Sequence, residues 1–284
     1  MAINWYPGHM AKTRRQIGEN LKLVDAVIEI RDARIVESSK NPDIDEICKD
    51  KPRLILLNKS DLSDAKTTKE WIEFLSKDNI KVIPVNSITG SGLKDVKPSL
   101  DLLLKKKHDR LKSKGLINIT TRAMVVGIPN VGKSSFINKM ANSNIAKTGD
   151  KPGVTKSKQW IKTKYKIELM DTPGVLWPRL GSETTSLDLA FTGAIKDEIM
   201  DIEELALKLV EKLKLEYPKN IKERYKLDEL SENPLELLDI MARKRGAILP
   251  GNQINYNRIA VILLDEFRGG KLGKISLEKP NTPV

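Results

Sequence analysis

One cysteine, Cys48, and two histidines, His9 and His108, occur in 284 residues. A lone thiol excludes an intrachain disulfide and suits a reducing compartment. No apolar run approaches the ~20 residues that cross a bilayer. The first ten residues lack the continuous apolar core of a secretory signal. Internal repeats and low-complexity linkers are also missing. These absences lead us to expect a soluble, cytoplasmic protein with no membrane partner.

What is present fits a folded chain: 39% of residues are hydrophobic and 31% charged, a balance typical of globular proteins. The length allows one large or two modest domains. The net charge of +12 is unevenly placed. Residues 1–180 hold 34 Lys and Arg against 20 Asp and Glu, and residues 181–284 hold 16 against 18. Even so, the stretch 243–274 carries seven basic residues and two acidic ones. Excess positive charge attracts polyphosphates, RNA above all, although a solvated surface has the same composition.

Short apolar runs alternate with helical patterns through the first 170 residues. Val24–Ile30, Arg53–Leu57, Lys81–Val85, Arg122–Val126 and Lys166–Met170 are predicted strands, and Trp160–Thr163 a further one paired to the last as a hairpin. Helices are predicted over Ala65–Ser76, over Gly92–Leu111 and from Lys133 onward. His108, in a lysine-rich helical end, is expected to face solvent. Beyond Leu180 only helical patterns remain, among them one capped by Asp201, one opening at Asn233-Pro234-Leu235-Glu236, and one striped by Tyr256, Ile259, Leu263 and Phe267. This predicts an α/β domain, a mainly parallel sheet flanked by helices, over 1–180, and a smaller all-α domain over 181–284.

Four segments carry chemistry. Gly127-Ile128-Pro129-Asn130-Val131-Gly132-Lys133-Ser134 has the spacing of a phosphate loop, placed between a predicted strand and a predicted helix. The loop's N–H groups and the helix N-terminus favour phosphate. Its candidate contacts are Asn130, Val131, Gly132, Lys133 on the β- and γ-phosphates, Ser134 on magnesium and Ser135 on the α-phosphate. Asp171-Thr172-Pro173-Gly174 follows a strand. There Asp171 can serve magnesium and the Gly174 N–H the γ-phosphate, or Asp171 merely caps a turn. Thr155, in a turn-prone loop between them, is the candidate for a second hydroxyl on magnesium, or an ordinary loop residue. Asn58-Lys59-Ser60-Asp61 reads as a guanine box: Asp61 accepts from two guanine donors that adenine lacks. Asn58 would hold the base's other edge and the Lys59 stem would cover its ring. Asn86-Ser87-Ile88, after the next strand, is placed to offer backbone N–H to the guanine oxygen.

The base box precedes the phosphate loop, the reverse of the usual order. With Trp5-Tyr6-Pro7-Gly8-His9-Met10, Arg31-Asp32-Ala33-Arg34 and Phe267-Arg268-Gly269-Gly270-Lys271-Leu272-Gly273, the chain resembles the ribosome biogenesis GTPase A family over essentially its whole length. That resemblance implies a circularly permuted P-loop GTPase that binds GTP and GDP with Mg2+ and acts on the large ribosomal subunit and its rRNA. A monomer off the ribosome is expected. Val175 stands where many GTPases have a water-orienting glutamine. The resemblance implies that His9 assists catalysis with Lys133, Thr155 and Gly174; the alternative is that His9 binds RNA or packs locally. It also implies K+ at Asn130, against a turn-forming asparagine. Arg243, Lys244, Arg245, Arg258, Arg268, Lys271 and Lys274 are the candidate RNA contacts. A GTP-dependent scaffold without turnover is the competing reading. A small-molecule kinase would leave the guanine box unexplained.

Overall fold

Runs rich in Val, Ile, Leu and Met pair into one six-stranded sheet: β1 (Ala26–Asp32), β2 (Arg53–Asn58), β3 (Ile80–Pro84), β4 (Thr121–Val126), β5 (Trp160–Lys162) and β6 (Ile167–Asp171), in the order β3-β2-β1-β4-β6-β5. The computed structural model describes residue 15 and residues 17–48, 51–116, 118–141, 160–172 and 182–280. All pairings are parallel except β5 with β6, the hairpin expected from the sequence. Every residue of β1 is buried. That strand runs two residues beyond its predicted end, because Arg31 and Asp32 are buried as ion pairs. Arg31 Nε meets Glu29 Oε1 at 2.7 Å, and Arg34 Nη2 meets Asp32 Oδ2 at 2.8 Å. Buried charges persist only when paired in this way.

Helices cover the sheet: a short segment at residues 17–21 (α1), α2 (Asp43–Ile47), α3 (Ala65–Leu75), α4 (Val96–Leu103), α5 (Lys105–Ser113) and α6 (Lys133–Ala141). The single helix predicted over Gly92–Leu111 is divided at Leu104, after a 3-10 turn at Leu93–Asp95. His108 is buried rather than solvent-facing. Steps of four from Val96 through Leu100 and Leu104 bring it onto the apolar stripe, where its Nδ1 lies 3.5 Å from Asp101.

The chain forms two compact units, one of Met1–Glu183 with Ser276–Val284, the other of Thr184–Ile275. Within the span 181–284 expected to be all-α, Ser276, Leu277 and Glu278 hydrogen-bond residues of the sheet-bearing unit. The second unit holds α7 (Glu183–Phe191, whose first residue belongs to the other unit), α8 (Ile202–Glu216), α9 (Pro218–Tyr225), α10 (Pro234–Lys244) and α11 (Tyr256–Arg268). Asp201 caps α8 by accepting from Glu203 and Glu204 N–H, and Leu205, Leu209 and Leu213 form its buried stripe. At α10 the Asn233 side chain accepts from Leu235 N–H, but Glu236 reaches the Ser231 hydroxyl rather than the Asn233 N–H. Ser231 Oγ takes that N–H instead, at 3.2 Å.

Candidate functional site

Parallel pairing sends the C-terminal ends of β1, β2, β3, β4 and β6 to one edge of the sheet. Asp32 pairs with Asn58, Leu57 with Pro84, and Val125 with Asp171. Ligands of open α/β sheets bind along that edge, where loops of different strands meet. The base box after β2, the Asn86–Ser87 turn after β3, the phosphate loop after β4 and Asp171 at the end of β6 all lie there. Segments more than a hundred residues apart along the chain thus share one locus.

The phosphate loop begins where Gly127 passes so near β1 that a Cβ on it would lie 2.7 Å from the Ile30 carbonyl oxygen. It ends at α6, whose first residue is Lys133. Lys133 Nζ donates to the Ile128 carbonyl at 3.3 Å, which curls the side chain back over the loop. Burial pushes the Lys133 ammonium from its ordinary 10.5 down to about 8, against the opposing pull of Asp171. A polyphosphate beside it would favour the charged form and restore the pKa. Nucleotide binding should therefore take up protons between pH 8 and 10.5: about a tenth of a proton at pH 7, rising towards one near pH 9. Calorimetric titration with GDP in two buffers of unequal ionisation heat measures this. Zero uptake at pH 8.5 would mean either that burial does not lower the Lys133 ammonium in the free protein or that Lys133 does not meet the phosphates.

In the base box, Asn58 is 3% exposed and braces three motifs. Its Nδ2 donates to the Val131 carbonyl at 2.6 Å, and its Oδ1 accepts from Ser87 N–H at 3.0 Å. One amide hydrogen remains for a base. Lys59 takes a left-handed backbone, φ 59°, and its Nζ is held 3.0 Å from Asp32 Oδ2. Burial alone would raise the Asp32 carboxyl; Arg34 and Lys59 more than offset it and hold it well below the usual carboxylate range. Asp61 is exposed at the mouth of the edge. The Asn86–Ser87 turn differs from its expected role. Ser87 N–H is engaged by Asn58, and Asn86 Oδ1 accepts from Ile88 and Thr89 N–H at 2.8 and 2.9 Å. These groups frame the loop and are not left directed at a guanine oxygen.

Magnesium takes hard oxygen donors, and Ser134 in the first turn of α6 and Asp171 on the neighbouring strand provide a hydroxyl and a carboxylate of that kind. Thr172 hydrogen-bonds the Val125 carbonyl at 2.7 Å, pinning the acidic strand tip to the strand that feeds the phosphate loop. His9, Thr155 and Gly174 lie outside the described residues, as does Val175. Asn130 is exposed in the loop, with φ 60°. A separate cavity of about 650 Å³ beside α3, lined by Arg31, Arg53, Trp71 and Phe74 among others, contains none of the nucleotide residues.

The seven candidate RNA contacts divide into two groups. Arg245 lies 2.9 Å from Glu266 and 4.7 Å over the Tyr225 ring. Arg268 grips Asp197 at 2.7 Å with both terminal nitrogens and donates to the Phe191 and Ala190 carbonyls. Those two guanidinium groups tie helices together, which removes them from the set directed at phosphates. Arg243, Lys244, Arg258, Lys271 and Lys274 are exposed. Sequence reasoning missed Asp32, Arg34 and Thr172 as site-shaping residues. The Arg31-Asp32-Ala33-Arg34 marker and the Asp171-Thr172-Pro173-Gly174 motif contain them, without giving these three a role.

A phosphate loop, a base box and an acidic strand tip on one edge of a parallel sheet define a P-loop GTPase, here with circularly permuted strand order. A family model described as "50S ribosome-binding GTPase" matches residues 122–241. Ribosome biogenesis GTPase A of Bacillus cereus is 48% identical over 280 residues, covering 99% of this chain and 95% of that one. Its counterpart from Thermotoga maritima is 34% identical over 284 residues, covering 99% and 97%. Among solved structures, GDP-bound YlqF superposes with TM-score 0.66 at 28% identity, covering 94% of this chain and all of that one. The GNP-bound YlqF from T. maritima gives 0.65 at 29%, covering 96% and 100%. The chain belongs to the ribosome biogenesis GTPase A family: it is a GTP-hydrolysing enzyme of ribosome biogenesis. GTPases of this kind typically use Mg2+. Among the described residues no helix is long and apolar enough to cross a membrane.

Proposed function

We propose that this GTPase binds the precursor of the large ribosomal subunit and promotes its late maturation, with the GTP state controlling docking and release. The observation that carries the reading is the convergence of Asn58–Asp61, Lys133 and Asp171 on one sheet edge, in a chain whose family model is described as 50S ribosome-binding. In this reading Asp61 reads guanine, while Lys133 neutralises the β- and γ-phosphates. Ser134, Asp171 and Thr155 would hold magnesium, which would screen charge on the phosphates. The Gly174 N–H senses the γ-phosphate, and His9 orders the attacking water in place of the usual glutamine. Asn130 would help to hold K+, which would supply positive charge to the phosphates. The exposed Arg243, Lys244, Arg258, Lys271 and Lys274 meet rRNA phosphates, each adding salt-dependent affinity.

Purified large subunits should raise the GTP hydrolysis rate at least tenfold, as expected when a partner completes the catalytic group. Steady-state phosphate release with and without the particles measures it. A rate indifferent to subunits at saturating concentration would favour a scaffold that needs no turnover and would overturn the timed-release reading.

A further inference from the structure

The last described residues of the chain are built into the surroundings of the base box. Glu278 follows Glu37 and Ser38 by 241 and 240 positions. Its two carboxylate oxygens each accept a backbone N–H, from Glu37 at 2.7 Å and from Ser38 at 2.9 Å. Leu277 N–H donates to the Arg34 carbonyl at 2.8 Å. The Ser276 hydroxyl accepts from Asp64 N–H at 3.1 Å, and Trp71 Nε1–H donates to the Glu278 carbonyl at 3.3 Å. All three strap residues, Ser276, Leu277 and Glu278, are buried.

These bonds fasten both flanks of Asn58–Asp61. On one flank lies the loop after β1, where Arg34 holds Asp32 through Nε at 2.9 Å and Nη2 at 2.8 Å, and Asp32 holds Lys59 Nζ at 3.0 Å. On the other lies Asp64, three residues beyond Asp61 and the N-cap of α3 through its bond to Thr67 N–H. A buried carboxylate that takes two N–H groups leaves both unsatisfied when it is removed, so the loops it closes must rearrange.

We infer that Ser276–Glu278 is a positioning device for base recognition, setting guanine affinity through Lys59 and Asp61 without touching the nucleotide. The inference rests on Asn58–Asp61 being the guanine box. It separates two affinities that a general loss of folding would lower together. Glu278→Ala in the full chain should weaken GDP binding roughly tenfold, the equivalent of one well-made buried hydrogen bond. Binding of inorganic pyrophosphate, which meets only the phosphate loop, should stay within twofold. Glu278→Gln, which keeps the shape and one acceptor oxygen, should recover part of the loss, and Ser276→Ala should shift the same ratio by a few fold. Should Glu278→Ala not fold, Ser276→Ala and Glu278→Gln read the ratio instead. An unchanged ratio of GDP to pyrophosphate affinity, with or without a lower melting temperature, overturns the inference. The box itself is checked separately with Asp61→Asn. If that variant leaves GDP affinity intact, the base reading fails. If it weakens GDP while the strap variants leave the ratio alone, only the strap role fails.

Discussion

Gly132→Ala should cost on the order of a hundred- to a thousandfold in GDP affinity while leaving the fold in place. Gly132 sits at φ 96°, and a Cβ there would lie 2.3 Å from Asn58 Nδ2. That atom has little room to retreat, because Asn58 is buried and held at both ends by Val131 and Ser87. An alanine in left-handed backbone costs about 1–2 kcal/mol. Displacing the carboxamide leaves buried groups unsatisfied at about 1–3 kcal/mol more. The loop relieves this strain by moving away from the position in which its N–H groups face phosphate, so the loss falls on binding. Titration with a fluorescent guanine nucleotide reads the affinity, and circular dichroism melting reads the fold. Affinity within threefold of the parent would show that the Asn58 brace does not shape the loop.

Asp61→Asn should invert base preference. A carboxylate accepts from the ring N–H and the amino group of guanine together. A carboxamide keeps one acceptor and presents a donor where the amino group also donates, so guanine loses two charge-assisted bonds, each worth about 1.5–3 kcal/mol. Xanthine carries a carbonyl at that position and suits the carboxamide. GTP affinity should fall on the order of a thousandfold, and xanthosine triphosphate should become the preferred substrate, its turnover at saturation close to that of the parent with GTP. Asp61 belongs to neither the phosphate loop nor the acidic strand tip, so the chemical step is spared. Competition between the two triphosphates for hydrolysis settles the result; equal losses for both would place Asp61 away from the base.

Most of the sheet was legible because its strands are apolar runs bounded by turn residues, and the phosphate loop because its glycine spacing is local. The base box was legible for the same reason, as four contiguous residues after a buried run. Roles that depend on distant partners were not. Asn58 reads as a base contact, yet its partner Val131 lies 73 positions away, and nothing local marks it as a brace. Asn86 and Ser87 read as open donors, since a sequence does not reveal which N–H groups a turn has already engaged. Arg245 and Arg268 read as free cations for the same reason, although Glu266 and Asp197 hold them. His108 was misplaced by its lysine neighbours, whereas the four-residue stripe from Val96 governs its burial.

The amino-acid order alone determined the class of chemistry: a lysine-bearing glycine loop, an acidic strand tip and a base box can be recognised wherever they fall, because each motif acts through residues adjacent in the chain. Which side chains are buried as braces, and which stand exposed along the sheet edge, was decided by the tertiary structure. Parallel pairing gathers separated strand ends on one edge, and each buried donor or acceptor must then find a partner there. Lys59 meets Asp32, Asn58 meets Val131 and Glu278 meets the loop after β1 only once that edge exists.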